Sequence, residues 1–70
     1  MTDIDLLKKK IADSGLKMVF IAEKMGIMRQ TLYNKVNGLS EFNQSEIALL
    51  CEILNIKTKA EKESIFFKKN

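Results

Sequence analysis

The stretch "IAEKMGIMRQTLYNKVNG", residues 21–38, has a helical pattern of apolar residues on both sides of a single glycine, Gly26. A glycine where an apolar helical run stops is typical of a residue in the left-handed conformation, which ends a helix and lets the chain turn. The same stretch has no acid between Lys24 and Ser40, although the chain contains 9 aspartates and glutamates. A sharp turn and an acid-free surface are the two features that need an explanation.

Length and composition indicate one small domain. The chain has 70 residues, of which 46% are hydrophobic, so a compact core is expected and a second domain is not. Its formal net charge of +3 suits a polyanionic partner, but it equally suits a lysine-rich helix surface. The run Lys8–Lys10 is interpreted in this second way, as a solvated face.

The composition argues against catalysis. There is no histidine and only one cysteine, Cys51, which we predict to be a buried core residue. We therefore expect no catalytic residue, no metal, no cofactor and no small-molecule ligand. No signal peptide and no apolar run of about 20 residues is visible, so the chain is predicted to be cytoplasmic and not membrane-bound. Its initial Met1 and lysine-rich end favour a complete chain.

Apolar residues recur at helical spacing in five segments, and none alternates with the period of a strand. The predicted helices cover residues of about 3 to 14, 18 to 25, 28 to 37, 43 to 54 and 58 to 68. The predicted N-caps are Thr2 or Asp3, Asn43 with Glu46 as a capping box, and Thr58. The predicted fold class is all-α, a compact bundle of about five short helices in a single domain, 1–70.

Helices two and three are predicted to form a helix-turn-helix over residues 18–38. Gly26 ends the first of the pair, so the next helix can leave at about 90–120°. Ala22, one turn earlier, has a side chain small enough for that helix to cross close by. Ile21, Met25 and Leu32 supply apolar contacts that hold the crossing.

This segment resembles the helix-turn-helix of the Cro/repressor type, the XRE-like family of phage and bacterial regulators. The family pattern has an apolar residue, alanine, three residues, glycine, an apolar residue and another one five positions on. The matching residues are Ile21, Ala22, Gly26, Ile27 and Leu32. With "SGLK", "RQTLYNKVNG", "EIALLCEILNI" and "IFF", nearly the whole chain is similar to short regulators of this type. The resemblance implies a sequence-specific transcriptional regulator, with repression as the expected activity, that binds double-stranded DNA.

The chain departs from the family pattern at the two helix starts. Met28 stands where the family usually has a capping serine or threonine, and Lys17 and Met18 replace the polar residues that often begin helix two. Loss of a capping hydroxyl typically costs about 1 kcal/mol. Neither departure changes the turn at Gly26.

The outward face of helix three is the predicted DNA-reading surface. If Leu32 and Val36 point inward, a stripe of hydrogen-bonding side chains points outward. The predicted base-reading residues are Arg29, Gln30, Tyr33 and Asn34, since arginine suits guanine and amides suit adenine. The predicted backbone contacts are Lys17, Thr31, Lys35, Asn37 and Ser40. The absence of acids here avoids repulsion from phosphate.

A regulator of this size is expected to pair on a two-fold symmetric operator as a weak homodimer. Ile65, Phe66 and Phe67 are consecutive, so one helix cannot turn all three towards one core, and they are the candidate dimer contacts. Two other classes of function are weighed. A protein-interaction module on the same fold, such as an antirepressor or antitoxin, would explain apolar residues off the core stripes, for example Phe20. An enzyme has almost no suitable residues.

Overall fold

The structure, a computed structural model that describes residues 1–69, is all-helical, and no strand occurs in that range. Its helices are α1 (Ile4–Ser14), α2 (Met18–Met25), α3 (Arg29–Val36), α4 (Gln44–Ile53) and α5 (Lys59–Phe66). The predicted all-α fold of about five short helices is confirmed. Predicted and observed helix ends differ by at most two residues, and both ends of α2 coincide.

Side-chain caps determine where three of the helices begin. The Asp3 carboxylate accepts a hydrogen bond from the Leu6 amide at the start of α1, and the Thr58 hydroxyl accepts one from Glu61 at the start of α5. At α4 the predicted capping box is complete, because Asn43 and Glu46 each accept from the backbone amide of the other. These caps satisfy backbone donors that a helix leaves unpaired at its N-terminus.

The core takes side chains from every helix. The five largest fully buried side chains come one from each: Leu7, Ile21, Leu32, Leu50 and Ile65. Every buried side chain in the part of the chain described is apolar, including the predicted Cys51. The loop before α4 also contributes, since Phe42 is buried and meets Phe66 edge-on at 5.8 Å between ring centroids. No helix among residues 1–69 has the length and apolarity that crossing a membrane requires.

A three-residue connection separates α2 from α3. Gly26 has the predicted positive φ, 70°, and its amide donates to the Glu23 carbonyl. The Ile27 amide reaches back to the Ala22 carbonyl at 3.1 Å. This pair of bonds is a Schellman motif, which closes the end of a helix around one left-handed residue. Ala22 is buried, and its helix α2 packs against both α3 and α4.

Candidate nucleic-acid interface

Helix α3 presents the predicted stripe to solvent. Leu32 and Val36 are buried against the core, while Arg29, Gln30 and Tyr33 are exposed. Asn34 is half-buried and accepts a hydrogen bond from the Gln30 side-chain amide at 3.0 Å. Because only one amide hydrogen and one carbonyl oxygen take part in that bond, both side chains keep free donors and acceptors. Thr31, a predicted backbone contact, is half-buried between the stripe and the core.

The starts of α2 and α3 have no side-chain cap. Lys17 precedes α2 and Met28 precedes α3, and neither side chain bonds to the helix that it introduces. Both helices therefore begin without the capping side chain that the family pattern has at these positions. Met28 is instead 73% exposed, as a bare apolar side chain beside Arg29.

The segment from Lys24 to Ser40, which contains α3, has no carboxylate of its own. Glu23 and Glu41, the acids that flank this stretch, are exposed at its two ends. Lys17 and Lys24 are exposed as well, and the Lys24 ammonium lies 5.6 Å from the centroid of the Phe20 ring. The face therefore offers donors and positive charge to an approaching polyanion.

Lys35, a predicted backbone contact, is engaged within the protein instead. Its ammonium lies 3.2 Å from a Glu46 carboxylate oxygen and donates to the Glu41 carbonyl at 2.8 Å. The Lys35 and Glu46 side chains are only 14% and 16% exposed. With two of its three donors used, Lys35 ties α3 to the start of α4, and its phosphate contact stays a prediction that the one remaining donor would have to serve.

Replacement of Lys35 by methionine should lower stability more than it lowers DNA affinity. Lys35→Met keeps the aliphatic stem but removes both polar contacts, which should cost about 1 kcal/mol of unfolding free energy. In a domain of this size that corresponds to a fall in Tm of about 4–8 °C. Lys59→Met, at an exposed position of α5, is the matched control. Equal melting temperatures for the two variants would contradict the assigned role.

The loop after α3 places the two remaining backbone candidates at the surface. Asn37 and Ser40 are both exposed. The Asn37 side-chain amide donates to the Tyr33 carbonyl at 2.8 Å, so its carbonyl oxygen points away from the helix end as an acceptor. Between them Leu39 is 77% exposed, which sequence reasoning missed because the residue lies outside any helical pattern.

The three candidate dimer residues separate into two environments. Ile65 and Phe66 are buried in the core, so neither is available to a partner in the folded chain. Phe67 directly follows α5 and is 40% exposed. The expectation that at least one of the three faces outward is met by Phe67 alone.

Tyr33 has a second environment that the sequence did not predict. Its ring forms one wall of an open apolar groove at the junction of α1, α2 and α3. The groove is lined by Lys8, Ile11, Ala12, Met18, Tyr33 and Val36. The only available signal was the helical spacing of Lys8, Ile11 and Ala12, and that spacing does not indicate which neighbouring helix they meet.

Cys51 lies in the core on α4. Burial raises the pKa of its thiol, so the side chain remains a protonated hydrophobe at neutral pH. Residues 1–69 contain no group of three or more histidines, cysteines, aspartates or glutamates placed to hold a metal ion.

Comparison with known proteins leaves the family open. No family model matches the chain. Neither a curated protein nor a solved structure matches it.

Proposed function

We propose that the chain is a transcriptional regulator of the Cro/repressor type, which binds double-stranded DNA sequence-specifically and represses transcription. The supporting observation is the exposed face of α3, where Arg29, Gln30, Tyr33 and Asn34 form a stripe without a carboxylate. An eight-residue helix is about 12 Å long, and the major groove is about 12 Å wide. Such a helix can lie in the groove and span about three to four base pairs.

Each proposed contact follows from side-chain chemistry. Arg29 is the base-reading residue with the highest specificity, because its guanidinium pairs bidentately with guanine O6 and N7. Gln30 and Asn34 can bind adenine N6 and N7, and a hydrogen bond of 3.0 Å between their side chains links the two amides. Lys17, at the exposed start of α2, supplies a phosphate contact that positions the domain without reading sequence.

The direct test is selection of bound duplexes from a random-sequence pool, followed by titration at several salt concentrations. A regulator should enrich one sequence and lose affinity steeply with salt. Asn34→Asp introduces a carboxylate into the reading face and should abolish enrichment. Asn55→Asp, the same change at an exposed turn after α4, is the matched control. Failure to enrich any sequence, with no salt-dependent binding to mixed DNA, would contradict the proposal.

A second proposal concerns pairing. The domain measures 29 × 23 × 21 Å, whereas symmetric half-sites read by such helices are about 34 Å apart. One copy reads one half-site, so a two-fold symmetric operator takes two copies. Among the three candidate dimer residues, Phe67 is the exposed one, and it is the proposed contact between the two copies.

We expect two chains per palindromic duplex and a free protein that is monomeric or weakly dimeric. Phe67→Ser should raise the concentration at which the second chain binds. Phe20→Ser removes an aromatic ring of equal exposure, 40%, and serves as control. Light scattering with and without the duplex gives the stoichiometry, and one chain per duplex at saturation would exclude the dimer.

An alternative function is a protein-interaction module of antirepressor or antitoxin type. Its support is the apolar surface of α2, where Val19 and Phe20 are exposed and have no place in the core. Such a module should have little DNA affinity even at low salt. A gel shift on mixed-sequence duplex therefore separates the two functions.

A further inference from the structure

The lysine run of α1 is divided by the structure into three different environments. The Lys9 ammonium pairs with Asp13 at 3.0 Å, and the Lys10 ammonium pairs with Glu61 of α5 at 2.9 Å. Among residues 1–69, no carboxylate oxygen lies within 4.0 Å of the Lys8 ammonium. One of three neighbouring lysines thus keeps an uncompensated charge.

Helix geometry explains why the three differ. Successive residues turn by about 100°, so Lys8 and Lys10 leave the helix on opposite flanks of the buried stripe Leu7 and Ile11, and Lys9 points away from it. One flank meets α5, where Lys10 finds Glu61. The other flank faces α3, where Lys8 lines the apolar groove next to Tyr33.

The groove joins Lys8 to the reading face. Tyr33 belongs to both surfaces, since it lies on the exposed stripe of α3 and forms a wall of the groove. The lining is almost wholly apolar and includes no acid, and Lys8, its one charged member, is exposed to solvent. Lys17, which precedes the lining residue Met18, is exposed as well.

We propose that this groove and Lys8 hold the sugar–phosphate backbone of the DNA strand beside the proposed reading helix, with a phosphate on the Lys8 ammonium and a deoxyribose over the apolar lining. The inference rests on the proposed function and extends the DNA contact from α2 and α3 to α1. Charge complementarity selects this occupant, because the groove combines an apolar lining with the uncompensated charge of Lys8 and has no carboxylate. An acidic peptide would also complement the charge of Lys8. If the groove bound such a peptide instead, however, Lys8 would not contribute to the salt dependence of binding to duplex DNA.

The test compares Lys8→Ala with Lys9→Ala, which removes the same charge from the adjacent, outward-facing position. Binding to a mixed-sequence duplex of about 20 base pairs is followed by fluorescence anisotropy between about 50 and about 200 mM salt. Lys8→Ala should reduce the slope of log affinity against log salt by about 0.9. The affinity lost over that salt range should then be roughly 3.5-fold smaller than for wild type. Lys9→Ala should leave the slope unchanged.

Ala12→Glu supplies a second variant, since it places a carboxylate at the groove from an exposed helical position. It should weaken binding to every sequence alike, whereas Ala60→Glu on the exposed surface of α5 should not. Thermal melts establish that each variant is folded. If the wild type binds DNA and Lys8→Ala keeps the wild-type slope, this inference fails and the proposed function stands. A wild type that binds no duplex DNA at any salt overturns both.

Discussion

Arg29→Ala is expected to weaken binding to the preferred duplex by about 1–3 kcal/mol and to relax the preference at one base position. The side chain is exposed at the first turn of α3 and makes no ion pair with residues 1–69, so its removal should leave the fold unchanged. It is also the only arginine of the chain, and a lysine ammonium lacks the planar fork of donors with which a guanidinium pairs with guanine. Affinity for unrelated duplexes should fall much less.

The measurement is a comparison of sequences selected from a random pool by the wild type and by the variant, together with titrations on both preferred duplexes. Arg29→Lys keeps the charge and is the informative partner variant, because it should restore phosphate attraction but not the base preference. Lys59→Ala removes one charge from exposed α5 as a control. Unchanged preference at every base position in Arg29→Ala would show that the reading face is assigned to the wrong residues.

Gly26→Val is expected to destabilise the domain by about 2–3 kcal/mol. Gly26 has a φ of 70°, a conformation that β-branched residues resist most. A Cβ at this position would meet no atom within 4 Å, so the cost arises from backbone strain and not from a clash. Domains of this length have a total stability of about 4–10 kcal/mol, which makes the loss a large fraction.

An asparagine at position 26 separates the effect of backbone strain from the effect of adding a side chain. Gly26→Asn fits the same open space and tolerates the left-handed conformation better, so it should cost clearly less than valine. Thermal and urea unfolding of both variants give the comparison. A Gly26→Val melt within a degree or two of wild type would show that the connection between α2 and α3 does not depend on this conformation.

Much of the fold was predictable because the signals that end helices in this chain are local. The caps Asp3, Asn43 and Thr58 act on amides three residues away, and the left-handed Gly26 bonds within its own turn. The outward stripe of α3 was predictable for a similar reason. Once Leu32 is taken as buried, helical geometry determines which of its neighbours face solvent.

The roles that changed depend on contacts between residues far apart along the chain. Lys35 looked like one more exposed lysine, but the fold brings Glu46, in the first turn of α4, to its ammonium. Ile65 and Phe66 could be placed on a helix, but only the direction from which α5 meets α1 determined that both turn inward.

The same distinction holds for the run Lys8–Lys10. Three adjacent lysines are equivalent in the sequence, and local chemistry offers no reason to choose between them. Because α1 packs against both α3 and α5, its two flanks face different neighbours. Lys10 therefore meets a carboxylate 51 positions away, whereas Lys8 lines an apolar groove. Helix ends and helix faces therefore follow from interactions within a few residues, whereas the partners of Lys10 and Lys35 follow from the packing of whole helices.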